Sequence, residues 1–452
     1  MRQQMACAVA AVLGSLLGVG LWPAPGRAQG LTLAELLRSR GSPAGEHVQA
    51  WGREVAQLQR GPRAEEEPLR VDEAVRLAIA RFPALQAARQ EVGAARARVT
   101  LRGAHPNPRL AAKRESGETS DKAEGLEIHQ DVELFGQWLI RRSKAAWELE
   151  GKEGSFRREV LDLTLEVQKA FFDVLAAETI AEVNRENLTV AEGLLRAAKR
   201  RFELGDAPRL EWVRSEVEYT RALQDVLRTQ RELADKRAVL HFFLGRDLST
   251  PIQLAEPPPS PLAGQQVEDP QRLARERRPE LQEAMAAARA SDRQVTLAWM
   301  DILPSFSVAY ETTRSRASPA QESEQKLTLR ASIPIFDFGA IRGQIREARA
   351  QRGAAGFRLD LVHQRLALEV QEAHLALAEA EKQLESYRGG ILAQAEEVLK
   401  LTLGGYERGA LTFLDVLEAQ RSFRVTKSGL ALAQRHYRQS AAQLERAIGG
   451  AP

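Results

Sequence analysis

The chain carries its own pattern twice, and this duplication limits its fold more than any other feature. Arg81-Phe82-Pro83-Ala84-Leu85 recurs as Arg277-Arg278-Pro279-Glu280-Leu281, an offset of 196 residues, and Val99, Leu101 and Pro108 meet Val295, Leu297 and Pro304 at the same spacing. Phe135-Gly136 recurs as Phe338-Gly339 at an offset of 203, and Phe202-Glu203-Leu204-Gly205 as Tyr406-Glu407-Arg408-Gly409 at 204. Leu210, Glu211, Tyr219 and Gly245 match Leu414, Asp415, Phe423 and Gly449 at that last offset. At 452 residues, two similar units or one elongated body are expected rather than a single core. The boundaries read as 69–255 for the first repeat and 269–452 for the second. Between them lies a Pro-rich linker, 256–268, opening with Glu256-Pro257-Pro258-Pro259-Ser260-Pro261, which cannot continue a helix. Residues 29–68 stand outside the repeat as an N-terminal extension.

Each repeat has the order helix, two strands, long helix, turn, helix. Gln137 to Leu204 is 68 residues without proline, about 100 Å as one helix. Val160, Val167, Val174, Ala181, Leu188, Leu195 and Phe202 step by seven along it, which is a coiled-coil seam. A second apolar line, Leu161, Leu165, Phe172 and Leu175, runs beside the first and calls for neighbours on both sides. In the second repeat Leu366, Val370, Ala373, Leu377, Ala380, Leu384, Tyr387 and Ile391 make the corresponding seam. Val71–Gly103 and Arg209–Leu244 together match the long run in length, so two short helices stacked end to end can stand beside one long one. With aromatics at 6% and charged residues at 28%, the composition suits long helices rather than a β-sandwich.

Period-two segments sit where the helices are interrupted. Leu126, Ile128, Val132 and Leu134 alternate with Glu127, His129, Asp131 and Glu133. Phe306, Val308, Tyr310 and Thr312 form one face of a segment from Ser305, and Leu327, Leu329, Ala331, Ile333 and Ile335 one face of a segment from Lys326. A shorter segment, Arg109 to Arg114, carries Leu110 and Ala112. Strands that are apolar on one face and charged on the other fit a membrane β-barrel between lipid and water. Four strands cannot close, since about eight make the smallest filled barrel. Open edges are not tolerated in lipid, so copies of the chain must pool strands, and three copies give twelve.

The N-terminus reads as a secretory signal, residues 1–28. Arg2 precedes an apolar run from Ala6 to Trp22, and Gly26-Arg27-Ala28 is a small-x-small cleavage site. Cys7 is the one cysteine and lies in this signal, so the exported chain has no disulfide, thiol catalysis or cysteine metal site. Of the formal net charge of +3, two positives fall in the signal, so the exported chain gives no argument for nucleic acid. No stretch after residue 30 has the roughly 18 apolar residues of a membrane helix.

Arg201-Phe202-Glu203-Leu204-Gly205, the run Gly405 to Ala419 and Ser332-Ile333-Pro334-Ile335-Phe336-Asp337-Phe338-Gly339 resemble the TolC-type outer-membrane efflux proteins, over nearly the whole chain from residue 69. Gln130-Asp131-Val132-Glu133-Leu134-Phe135-Gly136-Gln137 resembles the branch serving cobalt–zinc–cadmium type exporters. The resemblance implies a mainly α fold with a small β part. A homotrimeric β-barrel in the outer-membrane lipid would continue into a periplasmic α-helical barrel. It implies a passive exit duct, not an enzyme and with no cofactor, that docks on a periplasmic adaptor and an inner-membrane pump. Gly205 and Gly409 become the periplasmic tips, with Phe202, Leu204, Ala207, Leu411 and Thr412 meeting the adaptor beside them. Asp415 and Glu418 become the pore constriction, and Glu211, Tyr406 and Arg408 the gate. Where relatives carry a basic gate residue this chain has Leu411, and Arg408 is the nearby cation to pair with Glu211.

The plainer readings treat Asp415 and Glu418 as solvated helix charges, and Phe202 and Tyr406 as packing. Glu127, His129, Asp131 and Glu133 read as solvated barrel lumen rather than a metal relay. His363 and His374 are eleven residues apart, about 16 Å along a helix, too far to chelate one ion. The alternative function is a periplasmic coiled-coil scaffold or adaptor without a barrel, which would have no use for lipid-facing strands.

Overall fold

The structure is a computed structural model and describes residues 68–116, 122–248, 252–258, 269–317 and 320–450. The expected signal, the extension up to residue 67 and most of the linker lie outside the described residues. The first repeat comprises α1 (Val71–Arg81), α2 (Pro83–Gly103), β1 (Arg109–Ser116), β2 (Lys122–Val132), α3 (Gln137–Glu203) and α4 (Arg209–Leu244). In the second, α5 (Pro270–Arg277), α6 (Pro279–Met300), β3 (Ser305–Ala317) and β4 (Ala320–Ser332) lead into α7 (Ala340–Ser386), a π turn (Tyr387–Ile391), α8 (Leu392–Glu407) and α9 (Phe413–Ala447).

Two expected continuous helices are broken, each for a local reason. Val71–Gly103 divides at Phe82, whose extended ψ of 120° is what a residue before proline adopts. The long run of the second repeat is interrupted at the π turn, where Gly390 takes φ 141°. The first-repeat counterpart, α3, runs 67 residues unbroken. The repeat arithmetic explains the difference. The left-handed helix-entry glycines Gly136 and Gly339 are 203 residues apart, whereas the left-handed tip glycines Gly205 and Gly409 are 204 apart. One extra residue must fit between equivalent ends, and a π turn absorbs one.

The helices form four staves in a row. α2 with α4 flanks one side of α3, α6 with α9 flanks its other side, and α7 packs on α6 and α9. Accordingly α3 buries two lines of residues, among them Val160, Val167 and Val174, and on the other line Gly154 and Phe172. By contrast α7 buries one, Leu366, Val370, Ala373 and Ala380. The four strands follow the same order, β1-β2-β3-β4, all antiparallel.

Short helices stack end to end where the repeats predict. Gly245, ending α4 with φ 60°, lies so close to Arg81 that an added Cβ would touch it at 3.4 Å, and Gly449 at the end of α9 meets Arg277 equivalently. The chemistry at the two joints differs. Phe82 packs edge-on to Phe242 with centroids 5.6 Å apart, an apolar joint. Its repeat partner Arg278 is 1% exposed and binds Glu280 at 2.9 Å, Glu369 at 2.6 Å and the carbonyls of Arg446 and Ala447.

The sheet is turned inside out relative to a water-soluble one. Leu327 and Leu329 on the apolar face are 66% and 74% exposed. On the opposite face Glu127 and Glu133 are the more covered, with side chains 23% and 18% exposed. An apolar face left bare beside a neutralised charged face is what lipid outside and water inside require.

Candidate gate and pore lining

The two hairpin tips are built alike. At the end of α3 the N–H of Gly205 donates to Phe202 O and that of Asp206 to Arg201 O. At the end of α8 the N–H of Gly409 donates to Tyr406 O and that of Ala410 to Gly405 O. Both glycines hold positive φ, 83° and 73°, which closes the helix end without a Cβ clash. Leu204 projects from the first tip, exposed, while Ala207 is buried beneath it. Leu411 folds back over Gly405, where a Cβ would collide with its side chain at 2.6 Å. Phe202 stacks on Trp212 at 5.4 Å, and Tyr406 tilts against Phe413 at 6.1 Å.

A polar lock joins the two tips. Tyr406 donates its hydroxyl proton to Glu211 Oε1 by a short hydrogen bond. Arg201 donates to the same carboxylate oxygen at 3.2 Å and to the Tyr406 oxygen at 2.5 Å, with its guanidinium 5.1 Å from the ring centre. Burial, with the Glu211 carboxylate second, pushes the Tyr406 hydroxyl up to about 12, so it remains a donor throughout the physiological range. The expected Glu211–Arg408 pair is corrected: the cation on Glu211 is Arg201, and Arg408 lies instead against Gly404. Hairpin geometry supplies the reason. Residues 201 and 211 are equidistant from Asp206 at the centre of the turn and therefore face each other, whereas the Arg408 guanidinium folds back along its own helix to Gly404. The signal that points to Arg201 is this symmetry about Asp206, which neither the repeat offsets nor the seven-residue steps record.

Asp415 and Glu418 start α9. Thr412 and Asp415 form a reciprocal capping box, in which Asp415 Oδ2 accepts from Thr412 N at 2.8 Å and from Thr412 Oγ1 at 2.7 Å. The Thr412 hydroxyl, then its backbone N–H, hold the Asp415 carboxyl below its usual value. One turn on, Glu418 lines a cleft of about 770 Å³ between α3, α4 and α9, together with Glu218, Arg221 and Arg421. Deeper in this wall Arg424 bridges Asp225 at 2.5 Å and Asn184 at 3.3 Å.

In the sheet, each predicted lumen acid has a cationic or histidine partner. Lys113 bridges Glu127 at 2.5 Å and Glu311 at 3.5 Å, and Arg109 meets Asp131 at 3.3 Å. His129 Nε2 lies 3.0 Å from Asp131, and Arg141 grips Glu133 with two bonds at 2.6 and 2.8 Å. These cations come from β1 and α3, outside the strand segments that suggested the acids. Among the described residues, no group of three His, Cys, Asp or Glu side chains is placed to hold a metal ion.

The sequence pattern of the outer membrane efflux protein family matches residues 74–246 and again residues 271–450. The cobalt-zinc-cadmium resistance protein CzcC of Cupriavidus metallidurans is 25% identical over 396 residues, spanning 86% of this chain and 92% of that protein. The outer membrane protein TolC of Vibrio cholerae is 22% identical over 337 residues, 72% of this chain and 76% of that one. Among solved structures, CusC superposes with a TM-score of 0.73 over 87% of this chain and 96% of its own, at 20% identity. The open state of the MtrE channel of Neisseria gonorrhoeae gives 0.71 over 84% and 89%, also at 20% identity.

Proposed function

The chain belongs to the outer membrane efflux protein family, and from that premise we propose that three copies close into a passive duct running from the periplasm through the outer membrane. The inverted sheet carries this reading. Its bare apolar face needs lipid, and its two unpaired edges, β1 and β4, need partners that four strands cannot supply. Three copies bring about twelve strands, enough for a water-filled passage. Residues 69–255 and 269–452 are then the two repeats of one wall.

The duct does no bond chemistry in this reading: it holds a path, closes it and receives a pump. Leu204, Gly205, Leu411 and Thr412, with Phe202, Ala207 and Gly409, form the seat for a periplasmic adaptor that couples to an energised inner-membrane pump. The Arg201–Glu211–Tyr406 lock keeps the tips together, and Asp415 with Glu418 ring the mouth. The name of CzcC supplies the cargo class, divalent cations such as cobalt, zinc and cadmium, and the carboxylates at the mouth suit it.

Deleting the chain from its host and weighing cell-associated zinc, cobalt and cadmium by mass spectrometry tests the cargo. Metal should accumulate in the deletion strain and return to normal on complementation. Unchanged metal content, with the purified protein still forming pores, would overturn the cargo class and leave the duct standing.

A further inference from the structure

The four staves meet the sheet through a basic collar. The eleven helix residues nearest the sheet on each stave are 93–103 of α2, 137–147 of α3, 290–300 of α6 and 340–350 of α7. Together they hold ten Lys and Arg against two acids, Asp292 and Glu347, a net of +8. The whole chain carries only +3, so everything outside the collar is net acidic. Positive charge is therefore concentrated in the three turns beside the sheet, where a membrane surface would be met.

The duplication tells which side of the wall these charges take. At the top of α3, Arg141 grips Glu133 on the charged face of the sheet, which marks the lumen side, and the exposed Leu139 lies almost opposite on the helix. At the offset of 203, Arg141 becomes Gln344, and the outward line Leu139, Ser143 and Ala146 becomes Arg342, Arg346 and Arg349. Ile345 and Ala348 are buried toward α6, so the arginine line is the side of α7 left opposite the lumen. Asp337 is occupied at the helix start, where it accepts from the N–H of Gly339 at 3.1 Å, of Ile341 at 3.1 Å and of Arg342 at 3.3 Å. Glu347 accepts from Gln351 at 2.9 Å. Arg342 and Arg346 are exposed and make no ion pair among the described residues. Arg349 lies 5.3 Å over the ring of Trp299.

Resting on the duct reading, which puts lipid on the bare face of the sheet, we propose that Arg342 and Arg346 bind phospholipid phosphates in the periplasmic leaflet of the outer membrane, and that they favour anionic headgroups such as phosphatidylglycerol. The distances suit this partner. Ile333 and Ile335 continue the exposed apolar line of Leu327 and Leu329, and α7 begins five residues after Ile335. From the first residue of α7, Arg342 lies about 3 Å and Arg346 about 9 Å along the axis. A headgroup layer is roughly 5–8 Å deep on each side of a bilayer. Arginine extends its stem along apolar surface to hold its head at such an interface, and its planar fork matches two phosphate oxygens at once. Arg349, about 14 Å along, is below this layer and braces Trp299 instead.

The test reconstitutes the purified protein in phosphatidylcholine vesicles with trace spin-labelled phosphatidylglycerol or phosphatidylcholine, and reads the share of label immobilised on the protein. Wild type should hold phosphatidylglycerol about fivefold more strongly, the gain of one basic residue at an anionic surface. Arg342→Gln with Arg346→Gln should bring the ratio close to one. Arg358→Gln with Arg365→Gln removes the same charge from the same helix, starting 16 residues or about 24 Å beyond Arg342, and should keep the wild-type ratio. A wild type that inserts and forms pores but shows no preference overturns the proposal while sparing the duct. So does a preference that survives Arg342→Gln with Arg346→Gln, or one lost equally in both double variants. A protein that never enters bilayers overturns the duct as well. Retention on isolated peptidoglycan, lost in the first double variant while lipid preference stands, would give the arginines to the cell wall. If the first double variant fails to insert, wild type decides alone: its ratio should fall toward one in about 1 M salt, and a salt-independent ratio overturns the phosphate contact.

Discussion

Tyr406 of the second repeat gives its hydroxyl proton to Glu211 of the first, and Arg201 binds both. Two hairpins that are far apart in sequence are tied at their tips by one acid with two donors. The bond is charge-assisted but partly solvated, since the Arg201 side chain is 40% exposed.

Cutting it should therefore open the duct rather than unfold it. Each lost donor removes about 1.5 kcal/mol, the lower end for a bond to a charged group, which moves the closed-to-open ratio about tenfold. Tyr406→Phe and Arg201→Met should each sensitise cells to large antibiotics normally excluded by the outer membrane. Arg408→Met should leave sensitivity at the wild-type level.

The lock also has a pH signature. Because the Tyr406 value is raised in the folded protein, the stabilisation it brings is complete below the ordinary tyrosine value of 10 and is lost as pH rises through about 12. Tyrosinate absorbance should show one late step near 12 that is absent from Tyr406→Phe. A wild type whose one extra tyrosine, relative to the variant, titrates near the ordinary value of 10 would mean that the hydroxyl is neither buried nor held by Glu211.

At the mouth, Asp415→Asn with Glu418→Gln removes charge and keeps shape. Carboxylates crowded in a narrow, poorly screened pore attract divalent cations. The double variant should lose cation preference, and its sensitivity to divalent ions added on the periplasmic side, in planar bilayers. Thr412→Val tests the capping role separately: it should weaken the start of α9 above the Asp415 titration and have progressively less effect as pH falls through it.

Arg278 is the buried hub of the second repeat, and removing its charge takes a donor from two carbonyls and leaves Glu280 and Glu369 to Arg446, which binds them at 2.9 and 3.1 Å. Arg278→Met should cost about 1–3 kcal/mol, mainly from the unsatisfied carbonyls of Arg446 and Ala447, seen as a lowered thermal midpoint. Adding Arg446→Met should deepen the loss, since Glu280 and Glu369 then keep neither of these two arginines. Phe82→Leu at the equivalent apolar joint should cost less than Arg278→Met.

Gly205→Pro and Gly409→Pro each force a residue fixed near φ −65° into a turn that holds φ 83° or 73°. Both variants should insert and assemble but fail to export, with pull-down of the adaptor as the readout. Normal export by both would place the adaptor elsewhere.

Much of this architecture was legible in periodicity. The seven-residue steps from Val160 to Phe202 anticipated α3, the alternation around Ile128 anticipated β2, and the repeat offsets anticipated the stacked joints at Gly245 and Gly449. The site was legible only as residue types. Glu211 and Tyr406 came from a resemblance, while their contact depends on how two hairpins lie side by side, which no local pattern records. Arg201 was hidden because its role follows from symmetry about Asp206 rather than from proximity to the second tip. The break at Gly390 was hidden for a different reason: a π turn leaves the apolar seam from Leu366 to Ile391 in phase, so only the count between equivalent glycines betrays it.

Ionic current through planar bilayers containing the purified protein tests the central claim most directly. A duct predicts stepwise insertion of pores with a small resting conductance, several-fold larger in the Arg201→Met, Tyr406→Phe variant. A protein that reconstitutes with full helix content, yet passes no current in either form, would contradict it.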